Sequence, residues 1–323
     1  MNIFIVGGTG FLGYHAALEA RRRGHTVTAL GLPPIPSDED FTANTRLLLQ
    51  DLEHTSDDDL RTLMTGHSAL IFAAGLDDRF TPLKPAYPAF RRANVEGTRR
   101  ILILAREAGI RRVVVLGSYF AYAARQLPHL HLADHHPYIR SRVEQEQVCL
   151  VLSSPDFEVM VLELPYIFGS MPGRKPLWTP LVRYVARANP VLYMRGGSAC
   201  ISVGAVAGAI LGALEQGRGG SFYPIGDENL RWSELLTRLA STLGKRIKVL
   251  TLPAWTVTVA GWGIWLARTL QGREAGLDMR YFAPLQTSEL FIDPAPARTA
   301  LGFRTGDLDD ALRETVRAAI GGE

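Results

Sequence analysis

Ile3-Phe4-Ile5-Val6-Gly7-Gly8-Thr9-Gly10-Phe11-Leu12-Gly13 decides how the rest of this chain is read. Ile3 to Val6 is a short apolar run, rich in β-branched residues, that reads as a buried strand. It stops at a glycine-rich turn, after which Phe11 to Arg23 reads as a helix. In a strand, tight turn, helix unit, backbone N–H groups and the positive end of a helix face an anionic pyrophosphate. The spacing is Gly7-x-x-Gly10-x-x-Gly13 rather than GxGxxG. A glycine triplet by itself also serves plain packing, and it is the strand before and the helix after that give this one its meaning.

Further along, apolar β-branched runs recur with helical stretches between them. Strands are expected at Thr26 to Leu30, Arg46 to Leu49, Ala69 to Phe72, Arg112 to Leu116 and Glu158 to Leu162. Helices are expected at Asp57 to Met64, Tyr87 to Ala108 and Tyr138 to Leu152, with a proline loop at Pro33 to Pro36 and a histidine-rich loop before Tyr138. This alternation implies an α/β fold of Rossmann type, a doubly wound parallel sheet. Right-handed crossovers then bring the C-terminal ends of the strands, and the small-residue loops that follow them, to one edge. After Pro165 the rhythm breaks. Residues 169–190 read as proline-rich and irregular, followed by short strands at Gly196 to Val203 and Ser221 to Ile225. Helices are expected at Ala205 to Leu214, Trp232 to Leu243 and Asp307 to Ile320. The division that follows is a dinucleotide-binding domain over residues 1–165 and a smaller mixed α/β substrate domain over residues 166–323, partly interleaved with the first.

Composition narrows the function. A chain of 323 residues, 47 % hydrophobic, can bury a large core. The formal charge of +3 arises from 35 basic and 32 acidic residues, a balance that gives no case for nucleic acid. Arg21-Arg22-Arg23, Arg99-Arg100 and Arg111-Arg112 read as solvated faces near helix ends. Two cysteines, Cys149 and Cys200, make no disulfide framework and no metal spacing. With an N-terminus that enters a strand directly, they suggest a reduced, cytoplasmic setting. Leu252 to Leu270 carries one charge, Arg268, and approaches the length of a spanning helix. Its threonines and glycines favour a buried or cleft-lining helix instead, with a membrane-surface contact as the lesser alternative, so a membrane partner is not the expectation. His129, His131, His135 and His136 sit with Asp134 before Tyr138; they read as substrate-side residues, and no metal is expected.

Several loops together resemble the extended short-chain dehydrogenase/reductase family, which holds NAD(P)-dependent epimerases, dehydratases and 3β-hydroxysteroid-dehydrogenase-like reductases. The resemblance runs from Met1 to roughly Asp310. It rests on Gly7 to Gly13, Asp51-Leu52, Ala73-Ala74-Gly75, Asn94-Val95-Glu96-Gly97-Thr98, Ser118 with Tyr122, and Tyr138-Ile139-Arg140-Ser141-Arg142, all in order. It implies NAD or NADP as cofactor and a small-molecule substrate. Gly7, Thr9, Gly10, Phe11, Leu12 and Gly13 would hold the pyrophosphate, Asp51 and Leu52 the adenine, and Ala73, Ala74, Gly75 and Asn94 the ribose and nicotinamide side. Taken singly, Asp51 reads as a strand-end aspartate and Asn94 as a capping residue; in this company they read as cofactor contacts. The resemblance further implies hydride transfer with Tyr138 as acid/base, Ser118 as polariser of the substrate oxygen, and a dimer built on the helices of Asn94 to Ala108 and Tyr138 to Leu152.

Three departures stand out. Arg142 occupies the place of the family lysine that depresses the tyrosine pKa. It keeps the charge, but a planar fork is not a compact ammonium. A dinucleotide-binding protein without turnover, acting as a redox sensor or scaffold, is therefore the alternative to an oxidoreductase or epimerase. Ala29-Leu30-Gly31-Leu32 shows neither an acid for an NAD ribose nor a neighbouring arginine for an NADP phosphate. Glu163 and Gly204-Ala205 replace residues that the family often uses in its substrate half, which weakens the case for a sugar nucleotide.

Overall fold

The computed structural model describes residues 1–321. Its strands, in chain order, are β1 (Asn2–Val6), β2 (Thr26–Gly31), β3 (Arg46–Leu49), β4 (Ala69–Phe72), β5 (Arg112–Leu116), β6 (Glu158–Glu163), β7 (Tyr166–Phe168), β8 (Val191–Met194), β9 (Gly197–Ser202), β10 (Ser221–Pro224), β11 (Glu228–Arg231), β12 (Val249–Leu252) and β13 (Glu289–Leu290). Seven of them form the main sheet in the order β10-β6-β5-β4-β1-β2-β3. Every pairing in it is parallel. The strand order reverses between β1 and β4, which makes the crevice beyond their C-terminal ends the switch point of the sheet. The glycine turn after β1 and the Ala73-Ala74-Gly75 loop after β4 flank that crevice.

Strand alternation divides the core. Ile3, Ile5, Ile71 and Val114 face the helices Phe11–Arg22 and Val203–Gln216. Phe4, Val6, Phe72 and Val115 face the opposite layer, with Leu60, Ile101 and Val148 from the helices Asp57–Met64, Gly97–Glu107 and Pro137–Leu152. Both faces are covered, as an all-parallel sheet requires.

The later part of the chain builds a second layer over the strand ends. β11, β9 and β13 pair in that order and β7 joins β9, while β12 pairs with β8. β10 crosses back to become the outer strand of the main sheet, beside β6.

Several expectations need correction. Residues 169–190 are not irregular throughout: Thr179–Arg187 is a helix, with Val182 and Val185 buried. The loop expected after Ser118 begins as a helix, Tyr119–Gln126, capped by the Ser118 side chain. A further short helix, Glu39–Asn44, follows the proline loop, with Asp38 as its cap. Tyr87 to Glu107 is helical as expected, but its register changes through a π-helical stretch at Arg91–Glu96. The largest reversal concerns Ala254–Leu270. It is a helix, yet Gly261 is its one buried residue. Its Trp255, Val259, Trp262, Leu266 and Leu270 point to solvent, so it does not fill the core.

Candidate active site

The first turn is tight enough to exclude side chains. Gly7 has φ +85°, and a Cβ there would lie 2.8 Å from the Ala73 carbonyl carbon. A Cβ on Gly13 would lie 2.3 Å from the Gly7 oxygen. Gly7 and Gly8 donate their N–H groups to Leu30 O, and Gly10 donates to Gly7 O. Gly10 caps the helix from Phe11, whose first-turn N–H groups, those of Phe11 and Leu12 among them, have no intrahelical partner. This is a cradle of N–H groups at a helix N-terminus, and it fits a diphosphate. Thr9 is turned elsewhere: its hydroxyl donates to Leu32 O at 2.7 Å and ties the cradle to the end of β2.

The other expected cofactor positions line the same edge. Asp51 sits beyond β3 and caps its own turn, accepting from Glu53 N (2.9 Å) and pairing with His54 Nδ1 (2.8 Å). Leu52 O accepts from Arg100. Ala73 N–H bonds Val6 O, joining the β4 loop to the end of β1. Asn94 is wholly buried, and its amide clamps the next residue of that loop. Oδ1 accepts from Leu76 N (2.8 Å), and Nδ2 donates to Leu76 O (3.1 Å) and to Ser141 Oγ (3.0 Å). The side chain thus ties the β4 loop to the helix that carries Tyr138.

Ser118, Tyr138 and Arg142 converge at the end of β5. Ser118 Oγ accepts from Phe120 N and lies at the Tyr138 hydroxyl. The Arg142 guanidinium, one helical turn from Tyr138, lies 5.2 Å from the ring centroid. It donates to Gln145 Oε1 (2.8 Å), Leu76 O (3.2 Å) and Leu116 O (3.4 Å), and its Nε has no partner among the described residues. Burial pushes the Tyr138 hydroxyl above its ordinary range; the Arg142 charge draws it back, Asp78 adds to the rise, and Ser118 and Arg142 at the hydroxyl oppose it. The phenol is therefore protonated at neutral pH. Edge-on rings of Phe90 (5.9 Å) and Phe120 (6.2 Å) enclose it.

Two features escaped the sequence reading. Asp78, in the loop after β4, faces both Tyr138 and Tyr166. Burial, with Asp77 beside it, holds its carboxyl above the ordinary range, against the pull of Arg79 and Arg142. The Asp77-Asp78 pair just past Ala73-Ala74-Gly75 was the available signal. The second feature is an aromatic wall: Tyr166 packs on Tyr119 (5.7 Å), Trp178 (5.0 Å) and Trp232 (5.4 Å). Residues separated by more than a hundred positions make it, and no local pattern announces it.

Glu163 is buried, and Arg125 pairs with both Glu163 and Glu146. His136 is buried too, accepting the Asp278 N–H on Nδ1 at 2.9 Å, and burial lowers it to about 4. His135 stacks on Tyr281 at 3.7 Å. These two histidines thus hold the 278–281 segment. Among the described residues, no group of three or more His, Cys, Asp or Glu side chains is placed to hold a metal ion.

The model of the NAD dependent epimerase/dehydratase family matches residues 3–226. The chain belongs to that family. Among relatives, the 4-hydroxy-2-methyl-3-oxo-4-farnesyl-3,4-dihydroquinoline-1-oxide ketoreductase of Stigmatella aurantiaca is 28 % identical over 319 residues, covering 94 % of this chain and 92 % of the relative. Among solved structures, gox2253 superposes with a TM-score of 0.76 at 23 % identity, covering 98 % of this chain and 97 % of that one. The UDP-glucose-4-epimerase of Stenotrophomonas maltophila, solved with NAD and formylated UDP-arabinopyranose, gives 0.72 at 19 % identity, covering 99 % and 98 %. Members of the NAD dependent epimerase/dehydratase family are enzymes, and the fold of these structures is the fold described here: a parallel Rossmann sheet with a second layer over its strand ends.

Proposed function

We propose that the protein is a ketone reductase that uses a nicotinamide dinucleotide, NADH or NADPH, as reductant. The observation that carries this reading is the buried, protonated Tyr138 hydroxyl set between Ser118 and Arg142. The bound dinucleotide supplies the hydride. Ser118 Oγ–H donates to the substrate carbonyl oxygen and polarises it. As the carbonyl π pair moves onto oxygen, the Tyr138 hydroxyl delivers its proton there, leaving an alcohol and a phenolate. Arg142 stands over the ring and opposes the phenolate charge until the proton is replaced. A tyrosine that already holds its proton suits reduction better than the reverse reaction.

The cradle of Gly7, Gly10, Gly13 and the Phe11 and Leu12 N–H groups would hold the diphosphate, with Asp51 and Leu52 toward the adenine and Ala73, Ala74, Gly75 and Asn94 toward the nicotinamide. Residues 1–165 would carry the cofactor and residues 166–323 the substrate. The wall of Tyr119, Tyr166 and Trp178 supports a bulky apolar or aromatic ketone, in keeping with the farnesylated substrate named for the Stigmatella relative. Ile103, Leu150 and Val151, exposed on the helices Gly97–Glu107 and Pro137–Leu152, support a homodimer through that face.

The test joins separate fluorescence titrations with NADH and NADPH to a turnover screen of prenylated and aromatic ketones. Tyr138→Phe should bind the dinucleotide as the native chain does and lose about 10²–10⁴-fold in turnover. Unchanged turnover would remove Tyr138 from the mechanism. Dinucleotide binding without turnover in the native chain, with activity appearing in Arg142→Lys, would favour the non-catalytic binder.

A further inference from the structure

The outward half of the helix Ala254–Leu270 carries no charged side chain, and its polar groups are the half-buried Thr256, Thr258 and Thr269, two of whose hydroxyls bond back to Pro253 O and Ala254 O. Trp255, Val259, Trp262, Leu266 and Leu270 follow one another at intervals of three and four residues, forming a single stripe. Each is 51–80 % exposed, and the exposed residues beside them are Ala260, Gly263, Ile264 and Ala267. The opposite side is flush against the body of the protein: a Cβ on Gly261 would lie 2.1 Å from Met279 O. The one charge in the helix, Arg268, belongs to that packed side. A water-facing helix half without one charge, in a chain with ample charge elsewhere, marks a surface that meets a partner.

The apolar surface extends past the helix. Leu83 and Phe80 are exposed on the loop that pairs with Arg273 through the Leu83–Arg273 bridge and the Lys84 N–H to Gly272 O bond. Cations border its C-terminal half. Lys84 and Arg273 stand at the C-terminal end of the helix, and Arg280 lies 4.5 Å from the Trp265 ring centroid and 5.7 Å from that of Trp262. Asp278 pairs with Arg280 and Glu274 accepts the Ala86 N–H, which leaves Lys84 and Arg273 as the rim cations without an ion-pair partner among the described residues.

From this we infer that the helix Ala254–Leu270 docks the protein on the surface of an anionic lipid bilayer, lying in the interface with its Trp255–Leu270 stripe in the acyl region. Charge chooses this occupant over a second copy of the chain. Lys84 and Arg273 call for anions opposite them: headgroups supply these, whereas a second copy would meet them with its own apolar stripe or its own cations. Tryptophan suits the boundary between headgroup and acyl chain, and an amphipathic helix with cations at its border is the interfacial form. The helix lies on the membrane rather than across it, since no helix among the described residues is long and apolar enough to span one. The docking helix is coupled to the active site through the segment that follows it: Gly276 O accepts the Tyr138 N–H at 2.9 Å. The cleft would then open near the phase in which an apolar ketone dissolves. The inference stands whatever ketone is reduced, and its readout is binding rather than turnover.

The experiment is flotation of the full chain with vesicles of phosphatidylcholine containing phosphatidylglycerol, and with phosphatidylcholine alone. The native chain should float with the anionic vesicles and far less with the neutral ones. Trp262→Ser combined with Leu266→Ser should lower the bound fraction about tenfold or more, while Arg273→Glu should weaken binding to anionic vesicles only. Val259→Asp serves as a second, independent disruption. All of these positions are at the surface, so melting temperature and dinucleotide titration should match the native chain. Native protein that stays in the soluble fraction with both vesicles overturns the inference. Self-association abolished by the same substitutions would then assign the face to a second copy. Variants that float as well as the native chain overturn it too.

Discussion

Tyr138 is buried, and in the proposed reduction that burial sets the direction of the chemistry. A hydroxyl with a raised pKa keeps its proton through neutrality, so Tyr138 should not limit ketone reduction near pH 7. Reduction should fall only as pH rises beyond the ordinary tyrosine value of about 10, while alcohol oxidation climbs over the same range. Arg142→Met removes the main influence drawing that pKa down, and both limbs should move to higher pH; Arg142→Lys should move them less. Profiles of kcat against pH would show it, and profiles that Arg142→Met leaves in place would separate Arg142 from Tyr138. Gly13 permits a second prediction at this scale. With a Cβ placed 2.3 Å from Gly7 O, Gly13→Ala forces the cradle open. Stability should drop by about 1–3 kcal/mol and dinucleotide affinity should fall with it, measured by denaturant titration and NADH fluorescence.

Between elements, buried polar side chains set the geometry. Asn94 sits in the π-helical stretch Arg91–Glu96, and its amide holds both backbone groups of Leu76 and the Ser141 hydroxyl. Asn94→Ala leaves those groups unpaired, at a cost of about 1–3 kcal/mol each at most. The β4 loop should then lose its place: amide hydrogen exchange at Leu76 should quicken, and kcat should fall while the chain still folds. Arg125, Glu146 and Glu163 join the helices Tyr119–Gln126 and Pro137–Leu152 to β6. Two carboxyls share one cation in a buried setting, and burial together with the Glu163 charge pushes Glu146 well above the carboxylate range. A carboxyl whose folded pKa is raised binds its proton more tightly folded than unfolded. Stability should therefore decline as pH rises from the ordinary glutamate value of about 4.3 toward the folded value. Glu146→Gln keeps the shape without the titration, so its melting temperature should decline less between pH 6 and 9 than that of the native chain. An equal decline in the two would acquit Glu146.

At the scale of the molecule, the second layer supplies what the sheet alone lacks: Tyr166 and Trp178 of the wall, Gly276 behind Tyr138, and the helix Ala254–Leu270. It also brings Arg174 to the loop after β2, where its guanidinium donates to Pro34 O at 2.8 Å. The local sequence there offers no cation. Arg174→Ala should weaken NADPH binding about 10–100-fold and leave NADH nearly unchanged, since one charge-assisted hydrogen bond contributes about 1.5–3 kcal/mol. Equal effects on the two cofactors would place the 2′-phosphate elsewhere.

Strands β1 to β6 of the main sheet, the glycine turn and the helix bearing Tyr138 and Arg142 were legible because each is written locally, whereas Ser221–Pro224 was read as a strand of the second domain and proved to be the outer strand beside β6. A buried parallel strand needs a continuous apolar run, a tight turn needs glycine, and a one-turn spacing sets two side chains on one helix face. The helix Tyr119–Gln126 could have been read from its Ser118 cap, but the histidines after it gave the stretch the look of a loop. Other features had no local sign. Arg125 meets Glu163, and Arg174 meets Pro34, only once the crossovers have closed. Ala254–Leu270 shows the difference most plainly: its residues determined a helix and its apolar face, but burial depends on whether another element arrives to cover that face. In this fold Met279 covers the Gly261 side, and the Trp255–Leu270 side remains open.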